Sequence, residues 1–240
     1  MKVINLISGP RNISTALMYS FASRPDFQVQ DEPFYGYYLS NASLSITHPL
    51  DQEIKATMEV NRDQILAQIQ RDRQHSHLFL KGMAHHFLDA APDYLLSWDN
   101  VILIRHPRKL IASFSKVIEN PGLKDIGIKK AAELFLYLRE HGATPLVIDS
   151  DELMVDPERY LRILCDRLGL SFDPAMLSWP KGGIVEDGIW APFWYKNVHN
   201  TTGFKVQQKT AASVPPALGP LLAEAMPYYE TLKQHILINE

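Results

Sequence analysis

The chain is poor in cysteine: Cys165 is the one thiol in 240 residues. A single thiol excludes an intrachain disulfide. Its surroundings, Leu-Arg-Ile-Leu-Cys165-Asp-Arg-Leu, have the spacing of an amphipathic helix, so a buried structural thiol is expected rather than a nucleophile. Long apolar runs are missing as well. Met-Lys-Val-Ile-Asn-Leu-Ile-Ser at the N-terminus is interrupted by Asn5 and stopped by Gly9-Pro10, too short for a membrane span and without the apolar region and cleavage site of a signal peptide. Cytoplasmic residence is the expectation. Nor is one sign of charge in excess: 24 Lys and Arg face 27 Asp and Glu, net −3. That balance gives nucleic acid and anionic membranes no general attraction, so any anion site must be local. Internal repeats and low-complexity tracts are absent too.

What is present is an ordinary globular composition, 46% apolar and 21% charged, at a length that suits one α/β domain over residues 1–240. Short apolar runs at 2–8, 27–30, 78–81, 101–104 and 146–148 read as buried strands. Helical patterns lie between them at 14–23, 53–72, from Pro107 to about Ile118, 128–141 and 157–168. A last helix is expected over 216–236, kinked near Pro220 and Pro227. Residues 170–213, rich in Trp, Pro and Gly, take no assignment. Strands alternating with helices predict a parallel central sheet flanked by helices, with ligands at the carboxyl ends of the strands.

Two strand ends carry anion-binding chemistry. After the first come Ser8-Gly9-Pro10-Arg11-Asn12-Ile13-Ser14-Thr15: a tight turn, a helix N-terminus with spare N–H groups, a guanidinium and two hydroxyls. Ser or Asn ahead of a helix is also an ordinary cap. It is not a Walker A loop, because Ile13 and Ser14 stand where the second Gly and the Lys belong. After the fourth strand come Arg105-His106-Pro107, with Ser113 eight residues beyond Arg105.

These two motifs, in this order, resemble those of sulfotransferases with the P-loop-like fold. The resemblance is strongest to bacterial and plant sulfotransferase-like proteins, some named branched-chain aminotransferase-like. Pro10, Arg11, Ser14 and Thr15 match the family's 5′-phosphosulfate loop, while Asn12 and Ile13 replace its usual Ser-Gly, and Ile takes a positive φ only at a cost. The resemblance implies a sulfuryl donor, 3′-phosphoadenosine 5′-phosphosulfate (PAPS), with Pro10 to Thr15 on its 5′ end and Arg105 and Ser113 on its 3′-phosphate. A late cation, Lys205 or Lys196, would close over the nucleotide. Asp151-Glu152-Leu153, Asp156-Pro157 and Leu168-Gly169 match a further stretch of the family and read as packing and caps.

For the base that takes the acceptor's proton, Glu32 comes first, His85 second and His86 third. Glu32 follows the second strand, and Pro33 holds it extended. His85 and His86 follow the third. Adjacent histidines rarely share one metal, so no metal site is expected. The acceptor would be a small molecule, walled by the aromatics at 34–38 and 190–195. Two other readings remain: a P-loop phosphotransferase using Asp149 on magnesium, or a catalytically inactive nucleotide-binding module.

Overall fold

The computed structural model describes residues 1–44, 47–205 and 212–237. The five apolar runs form β1 (Val3–Ser8), β2 (Phe27–Asp31), β3 (His77–Met83), β4 (Asp99–Ile104) and β5 (Leu146–Asp149). They pair in parallel in the order β2-β3-β1-β4-β5. The helices in chain order are α1 (Ser14–Ala22), α2 (Tyr35–Asn41), α3 (Asp51–Thr57), α4 (Arg62–Asp72), α5 (Pro107–Phe114) and α6 (Leu123–Ile126). They continue with α7 (Ile128–Glu140), α8 (Ser150–Leu153), α9 (Pro157–Arg167), α10 (Ala191–Trp194), α11 (Lys196–His199) and α12 (Gly219–Lys233).

The strands are apolar almost throughout because both faces of the sheet are covered. Successive side chains point to opposite layers. Along β1, Val3 and Ile7 join the core beneath α4, α5, α7 and α12, while Ile4 and Leu6 join the one beneath α1 and α9. Cys165 is buried in the second core, and burial lifts its thiol to about 11, in keeping with a structural role. A third, smaller cluster joins Tyr35, Tyr38 and Leu39 of α2, Ile54 of α3, and Trp190, Ala191 and Tyr195.

One expected helix is two. The pattern at 53–72 breaks after Thr57, and Asn61 starts α4 by accepting from the N–H groups of Asp63 and Gln64 at 2.9 and 3.2 Å. A good N-cap in the chain is a start signal that periodicity alone overrides. The described segment from 170 to 205 is mostly turns and one-turn helices, closed on itself by an antiparallel bridge between Ser178 and Gly203. The last helix ends at Lys233 and carries Pro227 inside it, and the chain then runs beside β5, where Leu237 N donates to Val147 O at 2.7 Å. Residues 206–211 of the unassigned stretch lie outside the described residues.

Because every strand is parallel, Ser8, Asp31, Met83, Ile104 and Asp149 share one edge of the sheet. The chain leaves β1 toward β2 and β3 on one side and later adds β4 and β5 on the other. The carboxyl end of β1 is therefore the switch point, where crevices form in such sheets. No helix among the described residues is long and apolar enough to cross a membrane.

Candidate active site

The loop from β1 to α1 turns through two non-glycine residues in the left-handed region, Arg11 at φ 61° and Ile13 at φ 59°. Such a conformation costs about 1–3 kcal/mol at each residue, more readily explained for a functional turn than for a cap. Three contacts hold it. Gly9 lets the loop pass under α6, since a Cβ there would sit 2.5 Å from Ile126 O. Asn12 Nδ2 donates to Leu103 O at 3.2 Å, and Arg105 Nη1 donates to Arg11 O at 2.8 Å. Among the described residues no side chain caps α1, and its first turn has no acid, an arrangement in which the first-turn N–H groups and the helix dipole favour an anion. Turns with left-handed residues of this kind gather N–H groups into anion-binding concavities.

Sequence spacing places Arg105 and Ser113 together as one grip and Arg11 in another. The structure joins all three: Arg11 Nε donates to Ser113 Oγ at 3.1 Å. Burial, and then the charge of Arg105, depress the pKa of Arg11. Arg105 Nε has no hydrogen-bond partner among the described residues and lies 3.8 Å from Asp151 Oδ1, whose other oxygen is 3.0 Å from Lys109 Nζ. Two guanidiniums with donors to spare line one wall of a cavity of about 380 Å³. Each residue from Pro10 to Thr15 lines it, as do Arg105, Ser113 and the exposed Lys205. Lys196 is exposed and lies outside that lining.

Glu32, His85 and His86 face the same cavity. Glu32 is buried and sits at φ 51°, not in the extended conformation expected before a proline. Local bonds override that preference: Glu32 N donates to Lys81 O at 2.7 Å, and Tyr35 N donates to Glu32 O at 2.9 Å. Burial raises the pKa of Glu32, the charge of Lys81 pulls it back, and that of Asp31 adds to the rise. Its aromatic wall is Tyr35 and Tyr38 rather than Phe34, which is packed in the core.

The histidines are held neutral. Burial lowers His85 to about 4, helped by the charge of His48, and pushes His86 well down. Their rings meet edge to face at 4.7 Å and 89°. His86 lies between Tyr35 and Tyr38, stacked at 4.8 Å on each, which makes it a packing ring as much as a site residue. His86 Nε2 is 3.9 Å from Glu32 Oε2, too far for a hydrogen bond. The described residues contain no cluster of three or more His, Cys, Asp or Glu with metal-binding geometry. Asp149 is committed elsewhere: its Oδ1 caps α8 by accepting from Asp151 N at 2.7 Å, and Tyr229 Oη reaches its Oδ2 at 3.4 Å.

Sequence reading missed Lys81, and took Tyr195 only as part of the aromatic wall at 190–195. Lys81 Nζ, fully buried, donates to Asp31 Oδ1 at 2.9 Å, to Glu32 Oε1 and to Tyr195 Oη at 2.6 Å. A signal for the lysine existed: it closes the apolar run at 78–81, and a charge inside a buried strand needs a buried partner. The partner is opposite it, since Asp31 pairs with Lys81 in the β2–β3 register. Tyr195 comes from the segment without periodicity and had no such signal.

Comparison with known proteins agrees with this fold. The family model that matches, over residues 1–236, is described as a sulfotransferase domain. Branched-chain-amino-acid aminotransferase-like proteins 1 and 2 of Arabidopsis thaliana are 38% and 37% identical to it over 237 and 238 residues, 98% of this chain in each case. The chain spans 42% of the length of each of these relatives. Among solved structures, the sulfotransferase domain of the curacin biosynthetic pathway superposes with a TM-score of 0.56 at 15% identity, covering 97% of both chains. That of the Synechococcus PCC 7002 olefin synthase gives 0.59 at 19% identity, over 97% of this chain and 94% of the other. At these identities the likeness concerns the fold.

Proposed function

The chain belongs to the family of sulfotransferase domains, and we propose that it transfers a sulfuryl group from PAPS to a hydroxyl or amine of a small acceptor. The aminotransferase-like name belongs to relatives more than twice as long as the matched region. The observation that carries the reading is one cavity with two kinds of wall: Arg11, Ser113 and Arg105, linked by hydrogen bonds, and Glu32 among aromatic rings.

In this reading Arg11 and the N–H groups from Asn12 to Thr15 bind the 5′-phosphosulfate. Arg105 and Ser113 bind the 3′-phosphate, and the spare Nε of Arg105 is a donor awaiting an anion. Lys205 adds a cation from the late segment. Glu32 takes the proton from the acceptor as the acceptor atom bonds to sulfur and the bond from sulfur to the bridging oxygen breaks. Arg11 stabilises the charge that grows on that oxygen. The moving group carries less charge than a phosphoryl, so arginine and backbone donors can serve it without a metal.

Calorimetry with 3′-phosphoadenosine 5′-phosphate, without magnesium, tests the reading. The expected result is binding at least about tenfold tighter than that of AMP, since the second grip is specific to the 3′-phosphate. Equal affinities, or a strict need for magnesium, would remove it. Release of the bisphosphate from PAPS with water as acceptor separates an enzyme from an inactive binding module.

A further inference from the structure

Behind Glu32 lies a closed set of hydrogen bonds that the transfer step does not use. All three donors of Lys81 are spent, on Asp31, Glu32 and Tyr195. Tyr195 Oη lies 2.8 and 2.9 Å from the two oxygens of Asp31, to which it donates, and receives Trp190 Nε1 at 2.9 Å. Gly188 N donates to Asp31 Oδ2 at 3.0 Å. Asp31 is thereby saturated. Glu32 differs: its Oε1 is held by Lys81, with Tyr195 Oη 3.3 Å away, while its Oε2 takes no hydrogen bond among the described residues.

We infer that Lys81 and Tyr195 are positioning residues for Glu32: they clamp one carboxylate oxygen and leave the other free on the cavity as the proton acceptor, with Asp31 anchoring the clamp. The inference rests on Glu32 being the base of the proposed reaction. A web with one cation and two carboxylates keeps surplus negative charge in a low-dielectric site, which favours a proton on one of them. Asp31 is tied by three donors, and for Glu32 burial is the main force toward proton uptake. The ammonium of Lys81 and the hydroxyl of Tyr195 oppose that uptake. The remaining groups facing Glu32 do not compete. His86 is kept neutral by burial, and Tyr35 is kept a phenol by burial and by the charge of Glu32 itself. Lys81 stays charged, because its two carboxylates outweigh its burial.

The test is a carbon-13 NMR titration of the glutamate carboxyls, with Glu32→Gln identifying the Glu32 signal. Tyr195→Phe keeps the ring and removes the hydroxyl. The expected result is a Glu32 midpoint about one pH unit higher, with affinity for the 3′,5′-bisphosphate unchanged. Lys81→Met is expected to move the midpoint further, and Lys81→Arg to restore most of it. A purely structural role for Tyr195 would lower stability and leave the midpoint in place, and that outcome overturns the inference. The acid limb of PAPS hydrolysis should move with the midpoint. If Glu32→Gln hydrolyses PAPS at the native rate, the base assignment fails, whereas an unmoved midpoint beside an inactive Glu32→Gln sinks the clamp alone.

Discussion

Arg11 and Arg105 repel each other, yet the fold holds them together through Ser113 and the Arg11 carbonyl. On the proposed reading, two cations kept close at some cost form an anion site, because a bound anion would relieve the repulsion. Arg105→Ala is expected to weaken the bisphosphate by about 1.5–3 kcal/mol, the range for a hydrogen bond to a charged group, while turnover of the bound complex survives. Arg11→Ala should weaken binding and lower turnover as well, since charge grows beside it in the transition state. The Arg11–Ser113 bond adds a further expectation: Arg11→Ala with Ser113→Ala should cost less than the sum of the two single changes. Titration calorimetry of the four variants, with PAPS hydrolysis beside it, reads all of this. Unchanged affinity in Arg105→Ala would remove that residue from the site. That these residues meet at one cavity was legible because each motif begins directly after an apolar strand. The left-handed Ile13 was not, since tertiary contacts from Leu103, Ile126 and Arg105 impose it against the residue's own preference.

Among the elements, β5 and α8 meet at a buried carboxyl. Asp149 caps α8 through the N–H groups of Asp151 and Glu152, at 2.7 and 3.4 Å. Burial raises its pKa to about 6; those backbone bonds pull against the rise and the charge of Asp151 adds to it. The folded state therefore holds a proton that the unfolded chain releases near pH 4. As pH rises from about 4 to about 6, this group lowers stability, and above pH 6 the loss is complete. Asp149→Asn keeps a capping oxygen and removes the buried charge. It is expected to raise stability at pH 7 by about 2 kcal/mol, with the gain vanishing toward pH 4. Thermal unfolding of both proteins across that range checks the sign, and an equal difference at every pH would show that the charge is not the cause. At this scale the sequence carried most of the fold. All five strands, α1, α7 and α9 follow from apolar runs, period and caps. What it could not carry was the break at Asn61, where one short side chain outweighs a continuous helical pattern.

Over the whole molecule, the cavity draws most of its lining from two separate stretches of the chain. The first 113 residues supply Arg11, Glu32, His85, Arg105 and Ser113, while Trp194, Tyr195 and Lys205 come from a segment that reads as irregular. Such a segment has no periodicity because it packs through single anchors rather than through a repeating face. Two of these anchors are Tyr195 on Asp31 and Asp187, which receives Tyr19 Oη at 2.5 Å and Ile184 N at 3.3 Å and lies 2.9 Å from His199 Nε2. The Asp187 side chain is 10% exposed, so its partners are left partly buried when it is removed. Asp187→Ala should cost about 1–3 kcal/mol for those bonds. Anchoring at separate points predicts that the cost is local. Amide exchange should quicken between Gly183 and His199, while β1 to β5 keep their protection, because Asp187 itself belongs to neither large core and bonds to the second through Tyr19 of α1. Activity should fall more than affinity for the bisphosphate, since the segment carries Tyr195 to Glu32 while Arg11, Arg105 and Ser113 rest on the sheet. Exchange that quickens uniformly along the sheet would instead make the late segment part of the cooperative core, and its hold on Glu32 could then not be loosened apart from the fold.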